Sequence, residues 1–248
     1  MFKKALLTGF GIFLSASACA TDSIYAEEFP LLWSSIVTLT GGVAWTSAGQ
    51  NVYLYRGTSS WTDYYHYTKN NDVLGSGEIY FGLQRLITPG LIGQLGLGIA
   101  GVTDATVSGY VDTPLFTDIS SYQYKVNHVR AELKGKLICD SFKSFQPYLS
   151  GSFGAAFNNT HNFIPEVINP LFPSTWFYSN TTLGFAYTLG LGVQTMVSTH
   201  WQIGAGYEFA DLGRSFLSGD GEAFTTGPSL SHLYTNEVLM SVSYLFSS

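Results

Sequence analysis

The chain has 248 residues, 46% hydrophobic and 16% aromatic, with only 11% charged and a formal net charge of −6. Soluble domains carry about 25% charged residues, so this is not an ordinary soluble composition, and an acidic chain without a basic patch excludes nucleic acid as a partner. The length suits one domain, and 27 glycines accompany the aromatics.

The N-terminus reads as a cleaved export signal over residues 1–20, with the barrel domain over 21–248. Lys3 and Lys4 form a positive start and Ala5 to Ala16 an apolar stretch. Ala18-Cys19-Ala20 is a small-x-small cleavage site. A lipoprotein signal would use Cys19, but Ala16 stands where that motif has Leu. Cleavage would remove Cys19 and leave Cys139 alone, with no internal disulfide and no cysteine metal site. No later stretch is apolar for the ~20 residues of a transmembrane helix.

Eight segments of period two follow: residues 33–47, 75–87, 91–102, 122–140, 147–158, 183–197, 201–214 and 229–246. In the second, Ile79, Phe81 and Leu83 oppose Glu78, Tyr80 and Gly82. In the fourth, His128, Arg130, Glu132, Lys134 and Lys136 oppose Val129, Ala131, Leu133, Gly135 and Leu137. The sixth sets Leu189 and Leu191 against Gly190 and Gly192. The last sets Val238, Met240, Val242, Tyr244 and Phe246 against Glu237, Leu239, Ser241, Ser243 and Leu245.

The connections alternate. Residues 88–90, 141–146 and 198–200 make short turns, while 48–74, 103–121, 159–182 and 215–228 are expected as long loops. Even strand number, short turns at one end and long loops at the other are the pattern of an all-β, eight-stranded antiparallel transmembrane barrel. One face of the strands is large and apolar, with aromatics such as Trp45, Phe157, Tyr187, Tyr207 and Tyr244 near strand ends. The other face is rich in glycine and alanine, as a narrow lumen requires. A soluble sandwich or lipocalin-like barrel would place the large apolar face inside.

On the export signal, the paired strands and the terminal Val242-Ser243-Tyr244-Leu245-Phe246, the chain resembles the small outer-membrane β-barrel surface proteins of Gram-negative bacteria, of the OmpA-membrane-domain and OmpX type. The resemblance implies an outer-membrane location, with loops extracellular and termini periplasmic. It further implies recognition of the C-terminal strand, Val242, Tyr244 and Phe246, by the barrel-assembly machinery. Ser247 and Ser248 follow the aromatic where many members end on Phe itself. Members are structural, adhesive or antigenic; a few are enzymes or narrow pores.

Chemistry is sparse. Gly96-Leu97-Gly98-Ile99-Ala100-Gly101 matches a dinucleotide fingerprint in letters, but it lies within a strand and no helix follows. No cofactor, metal or catalytic residue is expected. Arg130, Lys134 and Lys136 are expected to pair across the lumen with Glu132, Glu78, Glu208 and Glu237, because an unpaired charge away from water is costly. His232 loosely resembles the His-x-Ser-Asn stretch of outer-membrane lipid A deacylases, but Tyr234 stands where the Ser would be. Tyr53, Tyr55, Trp61, Tyr64, Tyr65, His66 and Tyr67 crowd the first connection, either as a binding surface or as wall packing. The leading expectation is a non-enzymatic surface barrel with a plugged lumen, in contact with outer-membrane lipid and an unknown partner at the loops. A narrow pore and a lipid A-modifying enzyme are the alternatives.

Overall fold

The computed structural model describes residues 33–55, 57, 62–68, 70, 72–141, 145–171, 175–221 and 224–246. The export signal, with Ala18, Cys19 and Ala20, lies outside these residues, as do Trp61, Ser247 and Ser248. The described residues form strands and no helix. In chain order the strands are β1 (Ser34–Ser47), β2 (Val52–Tyr55), β3 (Thr62–Thr68), β4 (Val73–Thr88), β5 (Leu91–Asp112) and β6 (Ser120–Cys139). They continue with β7 (Gln146–Val167), β8 (Asn180–Met196), β9 (Trp201–Asp211), β10 (Ser215–Ser218), β11 (Thr226–Leu230) and β12 (Tyr234–Phe246).

Eight of them close an antiparallel ring in the order β1-β4-β5-β6-β7-β8-β9-β12. Closure is the β12–β1 ladder, which runs from Ser35↔Phe246 to Ser47↔Tyr234. A ring has no free edge, so every backbone group of the wall can be paired without water, which hydrocarbon demands.

The parity of the sequence maps onto inside and outside as expected for a membrane wall. Leu95, Leu97 and Ile99 point out from β5, Leu189 and Leu191 from β8, and Val238, Met240 and Val242 from β12; all are exposed. Gln94, Ala100, Ala186, Thr188 and Glu237 are buried inside. Trp201, Tyr244 and Phe246 cluster at the turn end, with Tyr244 4.9 Å from Phe246 and 5.0 Å from Trp201 between ring centres. Tyr187, Phe209 and Tyr234 make a similar row toward the loop end. An apolar band between two aromatic rows is the surface of a barrel in lipid.

The turn at Thr88-Pro89-Gly90 shows why residue identity matters there. Pro89 fixes φ at the first central position, and Gly90 has φ +82° at the second, the pairing of a type II turn. Elsewhere glycines admit close neighbours. A Cβ on Gly42 would run into the Val238 carbonyl, and one on Gly154 into that of Ala131. Gly190 faces the lumen, but a Cβ would meet Ser150 Oγ at 2.5 Å and the Tyr207 carbonyl at 3.2 Å.

The long connections depart from expectation. Residues 103–121 and 159–182 are not loops throughout, because β5 runs on to Asp112 and β7 to Val167. The segment 48–74 holds the β2–β3 hairpin, which joins the sheet through β3 and β5, and 215–228 holds the β10–β11 hairpin. β9 ends at Asp211 rather than Arg214, and β12 starts at Tyr234 rather than Ser229. These pieces raise the wall beyond the apolar band and enclose a second, apolar core.

Candidate functional site: the lumen and the wall above it

The lumen is organised by β6, which carries Arg130, Glu132, Lys134 and Lys136 on its inner face. Arg130 is 1% exposed and donates from all three nitrogens of its side chain. Nη2 reaches Glu208 Oε1 at 2.6 Å, Nη1 reaches Glu237 Oε1 at 2.9 Å, and Nε reaches Glu132 Oε2 at 3.1 Å. Two pleat repeats nearer the turn end, Lys134 Nζ lies 2.6 Å from Glu78 Oε2 and 2.7 Å from Glu208 Oε2. Five strands around the ring therefore supply one network: β4, β6, β9 and β12 the charges, and β7 a hydroxyl. Ser152 Oγ donates to Glu132 at 2.8 Å, while Thr235 Oγ1 (at 3.1 Å) and Ser76 Oγ donate to Glu237. Each Arg130 contact is a single charge-assisted bond to a different carboxylate, so the three together orient the guanidinium.

Lys136 does not join the carboxylates. Its Nζ stands 4.2 Å over the Tyr148 ring and 3.4 Å from Gln194 Oε1, with no carboxylate in ion-pair range among the described residues. The reason is position. Lys136 sits on the turn side of the network, where Gln94, Gln146, Gln194 and Gln202 line the interior and offer amide oxygens instead of charge. Between the two layers lies a cavity of about 40 Å³ lined by Glu78, Tyr80, Lys134, Lys136, Tyr148 and Ser241, among others. At about 10–15 Å³ per water, it holds only a few. The Tyr80 hydroxyl lies over Gly82 and that of Tyr148 over Gly206, so these glycines make room for the two rings. Glu78, Glu132 and Glu208 each place a carboxylate oxygen within 4.8 Å of the others. Lys134 already reaches all three and Arg130 reaches Glu132 and Glu208, so the chain's own cations bridge the cluster.

Toward the loop end the lumen changes character. Tyr65, Tyr122, Tyr124, Phe163, Phe177 and Phe224 pack with Val107, Leu212, Leu217 and Leu230 into a buried apolar core. Phe163 and Phe177 meet edge to face at 5.1 Å, and Tyr65 lies 5.4 Å from Tyr122. Of the aromatics in the first connection, Tyr65 therefore belongs to this core. Tyr53 and Tyr55 are exposed, with Tyr53 stacked on Tyr64 at 4.3 Å.

His232 sits near the start of β12, with Nδ1 2.9 Å from Asp211 Oδ2 and its ring parallel to Tyr234. Thr235 is turned into the wall toward Glu237. The Gly96–Gly101 stretch lies within β5. The C-terminal strand residues Val242, Tyr244 and Phe246 pair with Leu39, Val37 and Ser35 of β1.

No protein-family model matches the chain, and no curated protein matches it. Solved structures do. Neisserial surface protein A is 13% identical, with 86% of this chain and 97% of that one covered, at a TM-score of 0.47. The outer membrane protease OmpT of Escherichia coli is 10% identical, covering 88% and 99%, at 0.46. The outer membrane protein OprG of Pseudomonas aeruginosa is 15% identical, covering 87% and 97%, at 0.41. The ground for the fold is the closed ring and its apolar outer band: this chain is an eight-stranded β-barrel of the outer-membrane type.

Proposed function

We propose that the protein is a non-enzymatic outer-membrane surface barrel with a closed lumen, acting through the wall and loops that rise outside the membrane. The termini and short turns face the periplasm in this reading, and β12 carries the strand read by the assembly machinery. The observation that supports it best is double closure. The Arg130–Lys134 network fills the interior at mid-height, and the apolar core around Tyr65, Tyr122 and Phe177 fills it again above. An eight-stranded ring is just wide enough for side chains to fill, and here they do. The Asp211–His232 pair supports no hydrolytic reading, since Tyr234 stacks beside it and the Thr235 hydroxyl is committed to Glu237.

The test is a planar-bilayer recording on purified, refolded protein. No steady conductance is expected. A steady ohmic current from the wild type would replace this reading with a narrow pore. A lipid A mass spectrum from cells with and without the gene is expected to show no difference.

A further inference from the structure

The outer surface of the wall is apolar, then polar, then apolar again. The lipid-facing band ends near Val129, Phe157 and Leu183. Above it, on β5, β6 and β7, comes a polar cluster, in which Asp104 accepts from Asn127 at 2.6 Å and faces Lys125 at 3.7 Å and His161 at 3.5 Å. Beyond that cluster, exposed apolar side chains return at the far end of β7 and in the β5–β6 connection: Val167, Ile168 and Leu171, with Leu115. Leu171 is 81% exposed, more than any large apolar residue of the lipid band. From Phe157 to Val167 the strand runs about 33 Å, a rise of about 25 Å at the usual barrel tilt, so this second patch is not part of the lipid contact.

The patch is built, not incidental. The Ile168 and Asn169 amides both donate to the Ile119 carbonyl, at 3.1 and 3.0 Å, and tie the two connections together. Asp118 holds φ +49°, and its amide donates to Asp112 Oδ1 at 2.8 Å, which fixes the β5–β6 tip. Two solvent-facing acids, Asp118 and Glu166, border it, whereas the Asp112 carboxylate is already engaged by His66 Nε2 at 2.6 Å. Asp112, Asp118 and Glu166 lie in residues 105–124 and 162–182, which contain no Lys or Arg. An exposed apolar centre bordered by open carboxylates marks a surface suited to a complementary one.

The geometry points to a docking surface at this rim for a cationic amphipathic protein segment, apolar on one face and rich in Lys or Arg beside it. An anionic membrane is repelled by Asp118 and Glu166, and a nucleic acid likewise. This inference rests on the outward orientation proposed above. Labelling of Thr117→Cys on intact cells with an impermeant thiol reagent tests that orientation separately.

The docking test uses the full barrel in phosphatidylcholine nanodiscs, with empty discs as the blank and a synthetic amphipathic Leu–Lys helix as the probe. Saturable binding above the blank is expected, weakened by salt and absent for a Leu–Glu helix of the same pattern. Ile168→Ser with Leu171→Ser should weaken it about tenfold, and so should Asp118→Asn with Glu166→Gln. All four positions lie at the rim, and the heat-dependent gel shift of barrels verifies folding. Equal binding of the two helices, binding no better than empty discs, or indifference to both double variants overturns the proposal. So does tethering of phosphatidylcholine vesicles by the rim without any peptide, which would make a membrane the occupant.

Discussion

Arg130 is the residue on which the interior turns, because three carboxylates converge on it. Removing one partner of a buried pair costs about 3–5 kcal/mol, since the other charge is left without compensation. Arg130→Ala strands charge on Glu132, Glu208 and Glu237 together, so it should be the most destabilising single truncation in the lumen. Glu208→Ala should follow, because Glu208 serves both Arg130 and Lys134. Glu166→Ala, on the exposed rim with only a 3.3 Å contact from Ser121, should change stability by less than about 0.5 kcal/mol. Urea unfolding in lipid or detergent gives the ranking, and Glu208→Ala unfolding no more easily than Glu166→Ala would refute the network's weight. Lys136→Met should be milder than either lumen truncation, since its ammonium has Gln194 and the Tyr148 ring in place of a carboxylate.

At the scale of strands, inside and outside are set by parity and by how closely neighbours approach. Leu189→Arg places a charge in the lipid band of β8 and should cost about 2–4 kcal/mol near the midplane. Loss of the folded species in the heat-shift assay is the expected result. Gly154→Ala should also impair folding, because its Cβ collides with the Ala131 carbonyl, whereas Gly77→Ala has nothing nearer than 3.8 Å and should fold normally. Deleting residues 246–248 should lower the amount in the outer membrane by removing Phe246 from the turn-end aromatic row, and cell fractionation with blotting measures it. The eight strands were legible because lipid demands alternation on a wall with a narrow interior. Their upper extensions were not, and β5 shows why. Apolar residues keep odd numbers from Leu95 through Ile99 to Ala105, Val107 and Val111, yet the first set is exposed and the second buried. A bulge between Val102 and Ala105 inserts a residue and swaps the face. Periodicity alone carries no mark of that swap. The charged side chains of β6 announced the network, and their common parity with Glu78, Glu208 and Glu237 named the partners. Lys136 was misjudged because parity gives the face of a residue and not its height in the lumen.

For the molecule as a whole, closure at two levels predicts electrical silence and resistance to partial opening. If the apolar core above is a second seal, Glu208→Ala alone should leave bilayer conductance near background even while it lowers stability. A large leak from that variant would show that the upper core is permeable. The β12–β1 seam has a further consequence, in time rather than in space. Thr38 and Ser243, bonded at 2.8 Å, stand 205 residues apart in the chain. No contact of the seam can form until both ends are present, and bringing such distant segments together carries the largest loop-closure entropy in the fold. Through all of its earlier assembly the chain therefore exposes two unpaired edges, β1 and the growing end. Its vulnerability to proteolysis and misassociation should fall abruptly when β12 docks and the eight-stranded ring loses its last edge.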